Sequence, residues 1–175
     1  MKLVSTVICI AACAVSLEAA AGATPELTVK SSIRFPLWKD PRTWLPEYPI
    51  TNGSVVTIEW VLKGDSVTSW KELFDEKSIV TKDSLREHID TWKRLLARVD
   101  SKAEVKEENN ADGSITVTYS SISGDEMGIS RYFAGKDGIY ILSYRVRPKL
   151  QNAQTLKLWR EIISAATLAP DHVKK

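Results

Sequence analysis

The chain has 175 residues, a formal net charge of +2, and 24 Lys and Arg against 22 Asp and Glu. That length predicts one domain able to bury its own core. The charges are interspersed and leave no basic stripe of the kind a phosphate backbone needs, which excludes nucleic acid as the expected partner.

Met1-Lys2 is followed by the uncharged apolar run Leu3 to Leu17 and then by the small residues Ala19-Ala20-Ala21-Gly22-Ala23. Residues 1–23 therefore read as a secretory signal peptide. The apolar run is shorter than the roughly 20 residues a transmembrane helix needs. Ile10-Ala11-Ala12-Cys13 resembles a lipobox, so a lipoprotein tethered through Cys13 is the alternative to soluble export into a periplasm or beyond. Cys13 stands unusually early for that role, and cleavage near Ala23 fits the whole segment better. Both cysteines, Cys9 and Cys13, fall here, so the exported part offers no thiol nucleophile, disulfide or Cys-bound zinc.

Residues 24–54 form an extended segment rich in proline and aromatics. Leu27 to Lys30 and Ser32 to Phe35 read as short strand pieces. Pro36, Pro41, Pro46 and Pro49 rule out a regular helix and deny a sheet its donors. A loop this long is uncommon in a compact domain and is often functional. Trp38 and Trp44 either plug one end of the core, as buried aromatics do, or join Tyr48 in an exposed contact for a partner.

Residues 55–169 read as a single α+β domain, and 170–175 as a frayed tail. Val55 to Leu62 is a strand with apolar residues on both faces. Gly64 allows a reversal, Asp65 or Ser66 can cap, and Val67, Trp70, Leu73 and Phe74 fall on one face of a predicted helix. Lys82-Asp83-Ser84 starts a second helix running to about Val99, in which Leu85, Ile89, Trp92, Leu95, Leu96 and Val99 form an apolar stripe. Four strands follow: a charged edge strand over Ala103 to Glu108, a cleanly alternating one over Ser114 to Ser121, and a hairpin of Met127 to Phe133 with Ile139 to Arg147. A last helix is predicted over Asn152 to Leu168. Segregated strands with helices on one face mean an α+β fold, an antiparallel sheet packed on helices.

The order of elements resembles the PsbP-like fold family. The resemblance is carried by Glu59-Trp60-Val61-Leu62-Lys63-Gly64-Asp65-Ser66-Val67-Thr68-Ser69-Trp70, by Ile129-Ser130-Arg131-Tyr132 through Gly138-Ile139-Tyr140-Ile141-Leu142-Ser143-Tyr144, and by the closing helix with Trp159. It implies an α/β/α sandwich and a non-enzymatic accessory or binding role, and it carries over no functional residue.

The chemistry-bearing residues are few. His88 sits at the edge of an apolar stripe and His172 in the tail, with no nucleophile elbow, so a Ser-His-Asp triad has no support. Two distant histidines without cysteine do not make a transition-metal site. Gly124, Gly128, Gly135 and Gly138 form no phosphate-cradling motif. Asn109 to Gly113 lacks the ligand spacing of a calcium loop. Neither a cofactor nor catalysis is expected. Glu59, Arg131 and Arg145 are charged residues in apolar strands. If they share an uncovered sheet face with Thr57, Ser130 and Ser143, they form either cross-strand ion pairs or an anion site built on the Arg forks. The expected function is an exported, non-catalytic domain that engages an envelope protein through Trp38, Trp44 and Tyr48. The alternative is a small-molecule or lipid binder with a cavity between helices and sheet lined by Trp60, Trp70, Trp92 and Tyr144.

Overall fold

The computed structural model describes residues 31–47, 49–122 and 125–170. The signal segment with its Cys13 alternative, the strand piece Leu27 to Lys30, Tyr48, Gly124, His172 and the tail after Pro170 lie outside the described residues.

Strands dominate. Among the described residues there are ten, against two α-helices. The strands are β1 (Ser31–Arg34), β2 (Trp44–Pro46), β3 (Ile50–Asn52), β4 (Val55–Leu62), β5 (Glu72–Val80), β6 (Glu104–Asn109), β7 (Ile115–Ser121), β8 (Glu126–Ala134), β9 (Gly138–Val146) and β10 (Thr167–Pro170). The helices are α1 (Leu85–Val99) and α2 (Ala153–Ser164). β1 and β10 pair as a two-stranded ribbon, and the rest form one antiparallel sheet in the order β2-β4-β5-β9-β8-β7-β6, with β3 beside β2 along β4. The helix-packed α/β/α sandwich is therefore corrected to a β-rich fold of two antiparallel sheets.

Two local readings account for much of the difference. Val67 to Phe74 is not a helix. Asp65 accepts the Lys71 backbone N–H at 3.1 Å and closes a loop, after which Glu72–Val80 runs as β5 between β4 and β9. Leu73 and Phe74 are both buried because successive strand residues face opposite ways and both sides are covered here. The last helix also ends early. Its final residue is Ser164, and Thr167–Pro170 pairs instead with Ser31–Arg34.

Other elements form where the sequence places them. Ser84 caps α1 in a reciprocal capping box with Glu87, satisfying two N–H groups the helix leaves open. Asn152 caps α2 by accepting the Gln154 N–H at 2.8 Å. The alternation of strand residues splits the core. One side gathers Phe74, Ile129, Phe133, Leu142, Tyr144 and Val146 under Trp159, Ile162 and Ile163 of α2, with Ile33 and Trp44 from the N-terminal segment. The other side gathers Ile115, Val117, Tyr132, Ile139 and Ile141 under Leu85 and Ile89 of α1. Beyond α1 on that side, Trp70 of the 63–71 loop packs on Val61 and Leu73.

Candidate functional site

The Pro-rich segment is fixed from inside by one carboxylate. Pro36 leads into a single 3-10 turn, Leu37–Lys39, closed by the Asp40 N–H on the Leu37 carbonyl at 2.9 Å. Asp40 then points inward, 5 % exposed. Its Oδ2 accepts the indole N–H of Trp44 and that of Trp159, each at 3.1 Å, and Nη2 of Arg42 at 2.8 Å. Its Oδ1 accepts Nε of Arg42 at 2.9 Å and the Arg42 backbone N–H at 3.1 Å. Nη1 of Arg42 reaches both oxygens of Glu72, at 2.7 and 2.8 Å, and Glu72 accepts the hydroxyl of Tyr144. Tyr144 stacks on Trp159 with centroids 4.5 Å apart, so the network surrounds an aromatic pair. Burial alone would raise the Asp40 carboxyl, but hydrogen bonds from Arg42 and Trp44 outweigh it and hold the group below its ordinary value. The Tyr144 hydroxyl is pushed up by burial and by the Glu72 carboxylate.

This network separates the residues expected to meet a partner. Trp44 is a core residue, 8 % exposed, edge-on to both Phe74 and Trp159. Trp38, on the turn that Asp40 closes, is 82 % exposed. It borders an open depression of about 390 Å³ shared with Arg34, Phe35, Pro36, Lys39 and Thr167. Neither Arg34 nor Lys39 forms an ion pair among the described residues.

The charged strand residues do not assemble as expected. Pairing aligns Glu59, Asp75, Ser143 and Ser130 in one row across β4, β5, β9 and β8, and Arg145 lies on the same face. Nη2 of Arg145 donates to Asp75 at 2.7 Å and lies 3.4 Å from Glu59. Burial acts to lower the Arg145 guanidinium, but Asp75, Tyr119, Glu126 and Glu59 together hold it above its ordinary value. Those acidic neighbours engage its Nη2, and an anion binding there would have to displace Asp75. Asp75 Oδ1 and Arg145 Nε are buried without a hydrogen bond among the described residues, so this ion pair is closed through one oxygen and one nitrogen only.

Arg131 is on the opposite face. It is 7 % exposed and donates to the carbonyls of Ile163 and Ser164, to the Ser114 hydroxyl at 2.8 Å and to Asp112 at 2.9 Å. Those carbonyls belong to the last turn of α2, where the helical ladder runs out; the Ile163 carbonyl also accepts the Ala166 N–H at 3.1 Å. Arg131 is a helix cap and not part of a surface patch.

The four residues expected to line a cavity are divided by the sheet. Trp60 stacks on Phe74 and Tyr144 on Trp159 on the α2 side, while Trp70 packs on Val61 and Leu73, and Trp92 on Tyr119, on the α1 side. The enclosed space between Met127, Gly128 and Ile129 of β8 and Leu156 and Arg160 of α2 is about 20 Å³, room for one water. His88 is half-buried against the Tyr132 ring, and burial, followed by the Lys77 charge, pulls its pKa down.

Asp40, Arg42, Glu72 and Asp75 were not singled out by sequence reasoning. The spacing Asp40-Pro41-Arg42-Thr43-Trp44 hints at a local turn, but nothing local announces Glu72 or Trp159 as partners. No family model matches the chain, and no curated protein matches it. Among the described residues no helix is long and apolar enough to cross a membrane.

Proposed function

We propose that the chain is an exported, non-catalytic binding domain that engages an envelope protein through the Trp38 turn. The supporting observation is a large aromatic, 82 % exposed, on a turn whose next residue is locked into the core by five hydrogen bonds. An exposed Trp on an anchored turn is the kind of side chain that holds interfaces together, because an indole buries much area with only two side-chain torsions to fix. Trp44, by contrast, serves the anchor and not the contact. The ion pairs of Arg145 and Arg42 and the packed position of His88 favour binding over chemistry, since these groups are held in structural contacts. The small enclosed space on the α2 side disfavours the ligand-binding alternative.

The test is site-specific cross-linking in the cell of origin. A photoreactive phenylalanine at position 38 should give one discrete adduct, and the same group at exposed Glu104 on the far edge strand should not. Equal or absent labelling at the two positions would sink the reading.

A further inference from the structure

The surroundings of Trp38 say what kind of partner it fits. We infer that the Trp38 depression receives an acidic peptide segment, one in which Asp or Glu flanks an apolar side chain. This rests on the reading of Trp38 as the contact. Arg34, at the end of β1, and Lys39, beside Trp38, border the same depression as the indole. Both are exposed. Ion pairs elsewhere among the described residues engage other cations: Arg42 holds Asp40 and Glu72, Lys71 holds Asp65, and Arg145 holds Asp75. Arg34 and Lys39 hold no carboxylate among the described residues, although Glu161 lies on α2 one turn before Ala165, which also borders the depression.

Two cations that form no ion pair among the described residues, beside one exposed aromatic, complement an acidic-apolar segment. Rim charges of this kind steer encounter and select partners, and the indole supplies the buried contact. A lipid surface fits less well. Stable adsorption needs a wide apolar face or several clustered cations, each worth about 1 kcal/mol, and here a single indole and two cations share a narrow depression.

The experiment selects short random peptides displayed on phage against the purified protein, and the enriched peptides are then titrated against the protein and against Trp38→Ala. Phosphatidylglycerol vesicles are run in parallel. The expected result is enrichment of peptides with Asp or Glu next to Leu, Phe or Trp. Their affinity should fall about tenfold or more in the Arg34→Glu/Lys39→Glu variant and weaken as salt shortens the screening length. Enriched peptides that need Trp38 but are neutral or basic would overturn the acidic assignment and leave the Trp38 contact standing. Peptides indifferent to Trp38→Ala would overturn both. Vesicle binding through Trp38 without any peptide selection would replace the peptide with a membrane surface and overturn the inference.

Discussion

Trp44 and Trp159 share one hydrogen-bond acceptor: both indole N–H groups point at Oδ2 of Asp40, each at 3.1 Å, with the rings edge-on at 5.4 Å. The Pro-rich segment is thereby tied to the closing helix across 119 residues of sequence. Asp40→Ala orphans both buried donors and takes one of the two carboxylates from Arg42. An unsatisfied buried donor costs about 1–3 kcal/mol, so the variant should lose about 2–5 kcal/mol in urea unfolding. Asp40→Asn should lose less, since its carbonyl still accepts the indoles, while its amide turns hydrogens toward Arg42. The sign of the pH effect follows from the lowered Asp40 pKa. The folded state binds its proton less readily than the unfolded state. The contribution is present above the unfolded value of about 3.8 and is lost as pH falls through the folded value. Asp40→Asn should flatten the acid limb of the stability curve, and an unchanged acid limb would show that Asp40 does not set it.

Arg131 gives an asymmetric pair of predictions. Its side chain is 8 % exposed, whereas that of its partner Asp112 is 46 % exposed. Removing the guanidinium takes a charged donor from the Ile163 carbonyl, which keeps the Ala166 N–H, from the Ser114 hydroxyl, which keeps Asn110 and Asp112, and from the Ser164 carbonyl at the end of α2. Arg131→Ala should cost about 2–4 kcal/mol, on the scale of lost charged hydrogen bonds. Asp112→Asn should cost under about 1 kcal/mol, because a half-exposed ion pair is screened by water. Circular dichroism melts of the two variants check both values. Equal losses would mean that the ion pair, not the helix cap, is what Arg131 supplies.

The sequence carried the local devices well and the long-range ones poorly. The α1 stripe, the Ser84–Glu87 box and the turn between β8 and β9 are written in neighbouring residues, and all three form. β5 is different. Its stretch Asp75-Glu76-Lys77-Ser78 looks too polar for an interior strand, and the spacing of Val67, Trp70 and Leu73 imitates a helix face. Only pairing with β4 on one side and β9 on the other makes it a strand, and only Arg145, 70 residues away, neutralises Asp75. β10 likewise has no local signal, since its partner β1 lies at the other end of the described chain. The place of Arg131 is written in its neighbours. The two-residue period of a strand puts Arg131 and Ser130 on opposite faces, so they could not share a patch. Glu59 with Thr57, and Arg145 with Ser143, obey the period and do share one.

A close approach that leaves no room for a side chain is found at Gly128. It lies on β8 opposite Tyr119 of β7 and Arg145 of β9, and a methyl group there would meet the Tyr119 ring at 2.6 Å and the Tyr144 carbonyl oxygen at 2.9 Å. The Tyr119 ring covers the glycine as aromatic side chains cover glycines in sheets. It cannot swing aside freely, because its edge packs on Trp92 at 5.3 Å and its hydroxyl donates to Glu126. Gly128→Ala should therefore cost about 1–3 kcal/mol, the usual range for overpacking, through steric contact and not through backbone conformation. Tyr119→Ala alone removes the ring and should also destabilise, by about 3 kcal/mol or more. The double variant should be more stable than the sum of the two predicts, by at least about 0.5 kcal/mol, because the ring is the obstacle in one and absent in the other. The carbonyl contact remains, so recovery should be partial. A chemical-denaturation double-mutant cycle measures the difference. Strict additivity would place the whole cost on the Tyr144 carbonyl and release Tyr119 from its role over the glycine.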